Sequence, residues 1–304
     1  MSILVVGTVA VDDIETPFGA QKNVLGGSAT YIGRAARFFC EPVRLVAVVG
    51  GDFPDAYMER LRTSGMDLDG LEVDPDGKTF AWGGKYHYDL NDRETLFTDL
   101  NVLATFDPKV PQAYRDSRIV CLGNLDPVIQ RKVLEQVEQP DLVVLDTMNF
   151  WIEHTPEALR ETLKLVDCLI INDAEARELA NEPNLVKAAS KIRAMGPKVL
   201  VIKKGEHGAL LFANGTVFSA PAYPLEDIED PTGAGDTFLG GFAGYLARNR
   251  DHSLEHLKRA VIYGSALASY CVEAFGPARL FELDEEAIAT RVGAFRMLAT
   301  WEVD

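Results

Sequence analysis

The stretch Asp230-Pro231-Thr232-Gly233-Ala234-Gly235-Asp236-Thr237-Phe238 is the most informative part of the chain. Its small residues mark a loop that enters a helix. Unpaired amide groups at the start of a helix attract anions, and small side chains let a phosphate approach the backbone. The pattern predicts an anion site with Asp236 in the first helical turn, placed to accept a proton from a hydroxyl. An ordinary acidic residue after a glycine turn is the alternative interpretation.

Two other glycine-rich motifs do not fit this loop. The nicotinamide-binding pattern G-x-G-x-x-G needs glycine where the chain has Phe238. A Walker loop needs Gly-Lys-Ser or Gly-Lys-Thr, which does not follow. The residues after the first predicted strand, Thr8 to Asp12, also lack a dinucleotide fingerprint. A dinucleotide-dependent oxidoreductase is therefore disfavoured.

Working outward, the chain alternates between short apolar runs and helical patterns. Continuous apolar runs are typical of strands buried on both faces of a parallel sheet, and they occupy residues 3–6, 43–49, 118–122, 142–145, 168–171 and 199–202. Helical patterns occupy residues 28–39, 53–64, 127–137, 156–166, 234–247, 254–275 and 284–298, and Asn214-Gly215 predicts a hairpin. This alternation predicts a three-layer α/β/α fold with a mostly parallel central sheet, in a single domain over residues 1–304.

Two segments break the alternation, at about residues 12–25 and 74–103. In the second, Phe80/Trp82 and Tyr86/His87/Tyr88 flank Gly83-Gly84, which predicts a hairpin turn at the two glycines. We expect the two segments to form a small inserted β lid over a cleft. A plain surface hairpin is the alternative.

Composition limits the partners and the compartment. The 304 residues include 46 acidic and 30 basic residues, which gives a net charge of −16, and no basic block is present. Nucleic acid and anionic membranes are therefore not expected as partners. No apolar run approaches the roughly 20 residues that span a bilayer, and the N-terminus lacks the basic region of a signal peptide. Four well-separated cysteines are expected to be reduced thiols, mostly buried, and we expect a cytoplasmic protein.

The nonapeptide resembles the second signature of the PfkB (ribokinase-like) family of carbohydrate and nucleoside kinases. Gly26-Gly27-Ser28-Ala29-Thr30 resembles the first signature of that family, and Asp12 matches its early substrate-binding aspartate. Asn172-Asp173-Ala174-Glu175 resembles its N-x-x-E motif, and Lys203-Lys204-Gly205-Glu206-His207-Gly208 resembles its nucleotide turn. The five matches follow the order of the family from residue 3 to about residue 280.

The resemblance implies an ATP-dependent phosphotransferase that moves the γ-phosphate to a hydroxyl of a sugar or sugar-like substrate. An adenosine or nucleoside kinase is the alternative, and a non-catalytic binding protein with the same fold is a third. The third is disfavoured because Asp236 and its Gly-Ala-Gly loop are both present. By resemblance, Asp236 is the general base, and the amides of Gly233, Ala234 and Gly235 form the anion hole.

The resemblance also implies the groups that hold ATP and its ions. Asn172 and Glu175 match positions that organise Mg²⁺, with Glu175 acting through water, although a helix cap with an acidic first turn is the alternative. Lys203, Gly205 and Gly208 match positions that line the nucleotide. Asp230 and Thr232 match a K⁺ site of some members, with loop stabilisation as an equal alternative.

On the acceptor side, Asp12, Gly26 and Gly27 match positions that hold the substrate. Two candidate pocket residues depart from the family: Tyr31 replaces a common asparagine, and Asn124 follows a central strand where ribokinases carry an acid. The segment from Asp146 to Trp151 resembles a D-x-N stretch with an extra residue. The expected ligand is a sugar or nucleoside, and a homodimer through the lid is an open alternative. Trp151 and Trp301 are expected to be packing residues.

Overall fold

A computed structural model describes residues 1–300 of the chain. In chain order its strands are β1 (Ile3–Val6), β2 (Ala10–Thr16), β3 (Gly19–Gly26), β4 (Val43–Gly50), β5 (Asp67–Asp74), β6 (Ala81–Tyr86), β7 (Arg93–Asp99), β8 (Ile119–Leu122), β9 (Leu142–Leu145), β10 (Cys168–Asn172), β11 (Val199–Lys203), β12 (Ala209–Ala213) and β13 (Thr216–Ala220). Its α-helices are α1 (Ser28–Ala36), α2 (Asp55–Thr63), α3 (Pro127–Leu134), α4 (Asn149–His154), α5 (Pro156–Leu163), α6 (Asp173–Ala180), α7 (Leu185–Arg193), α8 (Ala234–Asn249), α9 (Leu254–Cys271), α10 (Ala278–Glu282) and α11 (Glu285–Leu298).

Nine of the described strands form the central sheet, in the order β13-β12-β11-β10-β9-β8-β1-β4-β5. The strands from β11 to β5 in that order run parallel, and β12 and β13 add an antiparallel hairpin at one edge. Every residue of β1, β8 and β9 is buried. Burial on both faces explains why these strands read as unbroken apolar runs.

Helices cover both faces of this sheet. On one face α1, α8 and α9 pack around a core that includes Ile32, Phe242 and Leu267. On the other face α3, α5 and α7 contribute Val133, Leu159 and Ile192 to a second core. The predicted three-layer α/β/α fold is confirmed.

The carboxyl ends of the parallel strands meet at one edge of the sheet, where ligands bind in open α/β folds. β9 is followed by Asp146, β10 ends at Asn172, and β11 ends at Lys203. Because β10 lies between β9 and β11, these three residues stand side by side. The start of α8 completes this edge.

Four other strands form a separate small sheet in the order β3-β2-β6-β7, which we call the lid sheet. Its strands span residues 10–26 and 81–99, which is slightly more than the first predicted segment and less than the second, because Asp74 ends β5 in the central sheet. The predicted turn at Gly83-Gly84 is wrong, because both glycines lie inside β6. Aromatic rings occupy the space that their side chains would need, Phe97 over Gly83 and Trp82 over Gly84. The chain instead reverses just beyond Tyr88, where Leu90 has a φ of 54°.

Smaller differences concern helix ends. The helical pattern predicted to reach Phe275 ends at Cys271, and the short helices α4, α6, α7 and α10 were not predicted. All four cysteines are free, three of them buried and Cys40 partly so, as expected. Within residues 1–300 no helix combines the length and the apolar character that crossing a membrane requires. Trp301 lies outside the described residues.

Candidate active site

The loop before α8 has the geometry of an anion site. Gly233 adopts the left-handed conformation (φ 75°), and the ring of Tyr31 fills the space that a side chain at this position would need. Within residues 1–300 the amides of Gly233 and Gly235 donate to no protein acceptor, whereas the Ala234 amide donates to the Pro231 carbonyl at 3.3 Å. Two of the three predicted anion-hole amides are thus free, at the positive end of a 16-residue helix.

Asp236 lies in the first turn of α8, next to these amides. Its Oδ1 is buried and has no hydrogen-bond partner within residues 1–300. Burial raises the pKa of Asp236 to about 7, and the nearby Asp146 carboxylate adds to the rise while Lys203 opposes it. A carboxyl group with a pKa near neutrality and a free oxygen suits a general base.

Asn172 and Glu175 form a capping box at the start of α6. The Asn172 Oδ1 accepts the amide of Glu175 at 2.8 Å, and Glu175 Oε2 accepts the amide of Asn172 at 2.8 Å. This is the helix-cap alternative named above. Burial raises the pKa of Glu175 to about 7, with a further contribution from Asp146. One oxygen of Glu175 is not used by the cap.

The acidic residues at this edge fit a magnesium ion held mainly through water and phosphate. Oδ1 of Asp146 is buried without a hydrogen-bond partner in the described chain, and carboxylate oxygens are the ligands that Mg²⁺ prefers. No three acidic, histidine or cysteine side chains of residues 1–300 converge into a metal cluster of their own. The Mg²⁺ role of Glu175 therefore stays a prediction.

The turn after β11 is built for close backbone approach. Gly205 and Gly208 both have positive φ, 53° and 81°, and the Gly208 amide donates to the Gly205 carbonyl at 3.1 Å. A side chain at Gly205 would overlap the amide oxygen of Asn91, which belongs to the turn between β6 and β7. The tip of the lid sheet thus touches the predicted nucleotide turn.

Asp12 lies on β2, opposite Trp82 of β6 in the lid sheet. A Cβ added at Gly26 would overlap the Asp12 carboxylate, and Gly27 has a φ of 91° where it packs on Thr8. Oδ1 of Asp12 is buried without a hydrogen-bond partner in the described chain. Burial raises the pKa of Asp12 to about 8, and Asp230 and Asp236 add to the rise. The structure thus places Gly26 against the Asp12 carboxylate with Gly27 next to it, and their role in holding the acceptor stays a prediction.

Tyr31 and Asn124 are placed differently from each other. Tyr31 is fully buried under Gly233, its hydroxyl has no partner within residues 1–300, and burial raises its pKa, with further contributions led by Cys271. Asn124 is half-buried. Its Oδ1 accepts the indole N–H of Trp151 at 2.8 Å, and its Nδ2 contacts the sulfur of Met148 at 3.0 Å. Trp151 is therefore more than a packing residue, since it orients Asn124.

Asp230 and Thr232 connect loops. One carboxylate oxygen of Asp230 accepts the Thr232 amide at 2.8 Å, and the other accepts the Gly276 amide at 2.9 Å. These bonds match the loop-stabilising alternative. The Thr232 hydroxyl donates to Tyr86 Oη at 3.1 Å, which ties the lid sheet to the loop before α8.

Two residues of this edge received no role from the sequence. Asp146 belongs to the stretch that resembles the D-x-N pattern, but its position directly after a buried strand already indicates a ligand-binding carboxylate. Arg93 begins β7, and its positive charge lowers the pKa of Asp236 and of Asp146. No local pattern marked Arg93, because its place depends on how the lid sheet packs.

The family model of pfkB family carbohydrate kinases matches residues 5–282. The chain belongs to the PfkB family of carbohydrate kinases. It is similar to the cytidine kinase of Thermococcus kodakarensis, with 29% identity over 82% of this chain and 90% of that protein. It is also similar to the ribokinase of Bacillus subtilis, with 27% identity over 90% and 94% of the two chains.

Among solved structures, a putative ribokinase II of E. coli in complex with ATP and Mg²⁺ superposes with a TM-score of 0.77 at 20% identity, covering 96% of this chain and 99% of that one. The fold match covers nearly the whole chain. The PfkB protein described here is thus an ATP-dependent kinase with a sugar-type hydroxyl acceptor, as the sequence indicated.

Proposed function

We propose that Asp236 is the general base with which this PfkB protein phosphorylates a hydroxyl of a sugar or sugar-like molecule. The observation that carries the proposal is the unpartnered, buried Oδ1 of Asp236 beside the free amides of Gly233 and Gly235. In the transfer, the acceptor oxygen bonds to the γ-phosphorus of ATP, and the bond between that phosphorus and the β,γ-bridging oxygen breaks. The hydroxyl proton moves to Asp236, and ADP leaves.

The free amides supply the electrostatic part of this reaction. Phosphoryl transfer depends on positioning and charge stabilisation, and fixed donors at a helix start need no reorganisation during the reaction. Mg²⁺, held through water by Glu175 and Asp146, would neutralise phosphate charge when ATP binds. Lys203, Gly205 and Gly208 line the triphosphate and the nucleotide in this proposal.

Asp12, with Gly26 and Gly27, holds the acceptor. An ionised carboxylate only accepts hydrogen bonds, so the free Oδ1 of Asp12 is suited to read hydroxyl groups. Gly26 leaves the room that the Asp12 carboxylate occupies. Tyr31 and Asn124 complete the acceptor wall, the first from below the loop and the second in the orientation set by Trp151.

A nucleoside acceptor is the second candidate, and Trp82 favours it. The indole folds over Gly84 in the strand position opposite Asp12, which places a flat aromatic surface beside the hydroxyl-binding carboxylate. Stacking of a base on an aromatic ring contributes roughly 1–3 kcal/mol. The similarity to a cytidine kinase supports the same candidate.

A product-specific screen tests the proposed function. ATP turnover is followed with purified protein over sugars, polyols and nucleosides, with Mg²⁺ and with or without K⁺, and phosphorylated products are identified by mass. Trp82→Ala separates the two candidates: about tenfold higher KM for nucleosides with unchanged KM for free sugars supports base stacking. Absence of any phosphorylated product from all three classes contradicts the proposal.

Two further properties are proposed, a K⁺ site and a homodimer. K⁺ would bind near Asp230 and Thr232, although both oxygens of Asp230 already accept amides. A homodimer would form through β7, whose residues are all exposed and include Leu96 and Phe97. K⁺-dependent turnover tests the first, and light scattering of wild type against Leu96→Lys tests the second.

A further inference from the structure

A buried ion pair stands next to the loop that is proposed to receive the γ-phosphate. Lys203 ends β11 and Asp146 follows β9, and their side chains meet across the end of β10 with Nζ and Oδ1 3.6 Å apart. The exposed fractions of the two side chains are 17% and 11%. This pair crosses an intervening strand, so it was not visible in the sequence.

The ammonium group of Lys203 lies against the anion loop itself. A Cβ built on Gly235 would lie 2.7 Å from Lys203 Nζ, and Gly235 is one of the two residues of this loop whose amides are free. An anion bound by those amides would therefore meet the ammonium. Lys203 reaches this loop from the end of a central strand, whereas Arg93, a second cation whose charge acts on Asp236, begins the exposed strand β7.

The pair is also incompletely bonded. A separation of 3.6 Å is too long for a hydrogen bond, and Lys203 donates no hydrogen bond within residues 1–300. Oδ1 of Asp146 likewise has no hydrogen-bond partner there. A buried ion pair that served only stability would be expected to satisfy its donors, because unpaired buried polar groups cost free energy. The unused donors of Lys203 are available to a ligand.

The charge of Lys203 is secured by its surroundings. Burial alone would lower the pKa of Lys203, but the carboxylates of Asp146, Glu175 and Asp236 outweigh burial and raise it. The group is therefore an ammonium at neutral pH. With three carboxylates around one ammonium, this edge of the central sheet carries excess negative charge. A bound triphosphate without a cation would increase that excess.

We propose that Lys203 is a catalytic cation whose ammonium moves from Asp146 to the terminal phosphates of ATP, and that Asp146 is the positioning residue that holds it beside Gly235 before ATP binds and competes with the phosphates for it. The proposal rests on the proposed function and deepens it. Lys203 keeps its protons throughout: the only proton that moves is the one that passes from the acceptor hydroxyl to Asp236. As the bond to the β,γ-bridging oxygen breaks, negative charge develops on the β-phosphate of the leaving ADP, and the ammonium stabilises that charge.

Calorimetric binding of AMP, ADP and ATP to Lys203→Met tests the proposal without any acceptor. We expect AMP affinity to stay within about twofold, and ATP affinity to fall roughly 10- to 100-fold, as for loss of one charge-assisted hydrogen bond. Lys204→Met is the matched control, since Lys204 is the neighbouring lysine and forms no ion pair in the described chain. Lys203→Arg should retain part of the ATP affinity.

Asp146→Asn tests the positioning role. Measured in EDTA, so that no metal contributes, this variant should bind ATP more tightly than wild type, because the competing anion is gone. A purely structural ion pair would instead lower the melting temperature without changing the ratio of ATP to AMP affinity. With an active acceptor, Lys203→Met should lower kcat roughly 100-fold or more, a larger factor than the rise in KM for the acceptor.

The outcomes separate the two proposals. An unchanged ratio of ATP to AMP affinity in Lys203→Met overturns the role of Lys203, even if wild type is an active kinase. Weaker or equal ATP binding by Asp146→Asn in EDTA overturns the role of Asp146. If wild type shows the expected phosphate-dependent affinities but phosphorylates no acceptor, the proposed function and the catalytic role of Lys203 fail, while its contact with the terminal phosphates stands. A wild type that prefers ATP no more than AMP contradicts both.

Discussion

The start of α8 and the lid sheet lie next to each other but are held in place by different interactions. α8 is packed between α1 and α9, and its residues from Thr237 to Ala247 are buried. The outer strand of the lid sheet, β7, is exposed along its whole length. The two regions touch through the Thr232–Tyr86 hydrogen bond. The groups proposed for phosphoryl transfer at the start of α8 are therefore held in place by the core. Substitutions in the outer strand of the lid sheet should not displace them.

The two regions also differ in chemistry. The edge near α8 concentrates buried carboxylates around Lys203, and burial raises the pKa of Asp236 to about 7. The lid sheet presents an aromatic ring, Trp82, and beside it a cation, Arg93, whose guanidinium lies 6.0 Å from the centre of that ring. Phosphoryl transfer and acceptor choice are thus assigned to separate structural parts. The predictions below test that separation.

The largest effect is expected for Asp236→Asn. Loss of the base should lower kcat roughly 10²–10⁴-fold while the fold and ATP affinity are kept, since the substitution is nearly isosteric. Steady-state kinetics with an active acceptor, together with a melting curve, measure both. If Asp236→Asn retains turnover within threefold of wild type, Asp236 is not the base.

The next largest effect is expected for Gly26→Ala. The added methyl group would displace the Asp12 carboxylate, so kcat/KM for the acceptor should fall about 100-fold while ATP affinity stays constant. Gly293→Ala is a matched control, because a Cβ at that helical glycine meets no atom within 4 Å. Equal losses for acceptor and ATP would mean that the two regions are not separate.

The sequence was sufficient where a feature is local. The motif from Asp230 to Phe238 places Gly233 before a helix start, and glycine adopts the left-handed conformation found there at little cost. The buried strands could also be predicted, because strands covered on both faces appear in the sequence as continuous apolar runs. The sequence misled at Gly83-Gly84, since the rings of Trp82 and Phe97 that make glycine acceptable inside a strand are set by cross-strand packing.

The features that could not be predicted from the sequence depend on contacts between elements that are distant in the chain. Lys203 meets Asp146 only because β9 and β11 flank β10, and strand order is not encoded in any one segment. Tyr31 lies under Gly233 because α1 packs on α8. Tyr31, which departs from the family pattern, thus supports the loop before α8. The identity of one residue cannot predict such a contact between two helices.

A smaller effect is expected from pH. The pKa of Asp236 is about 7 and that of Asp12 about 8, and both groups act as carboxylates. Asp236 ionises as pH rises through 7, so kcat at saturating acceptor should increase about tenfold between pH 6 and pH 8. The value of kcat/KM should rise more steeply, because it also depends on the ionisation of Asp12. Profiles measured with a direct product assay check this. A flat profile over that range would contradict the assignment of either carboxylate.

The smallest effect is on stability, and it has the opposite sign to the effect on activity. Because the folded-state pKa of Asp12 is raised to about 8, the folded protein holds a proton there that the unfolded chain releases near pH 4, and stability is lost as pH rises through 8. Asp12→Asn removes the buried charge and should raise the melting temperature by a few degrees at pH 8.5, with a smaller gain at pH 5, while acceptor use is lost. Asp13→Asn, whose side-chain oxygen can still accept the Asn23 amide, is the control and should give no pH-dependent gain. A melting temperature of Asp12→Asn at or below that of wild type at pH 8.5 would show that the carboxylate is compensated in the fold, and that its free oxygen does not mark the acceptor site.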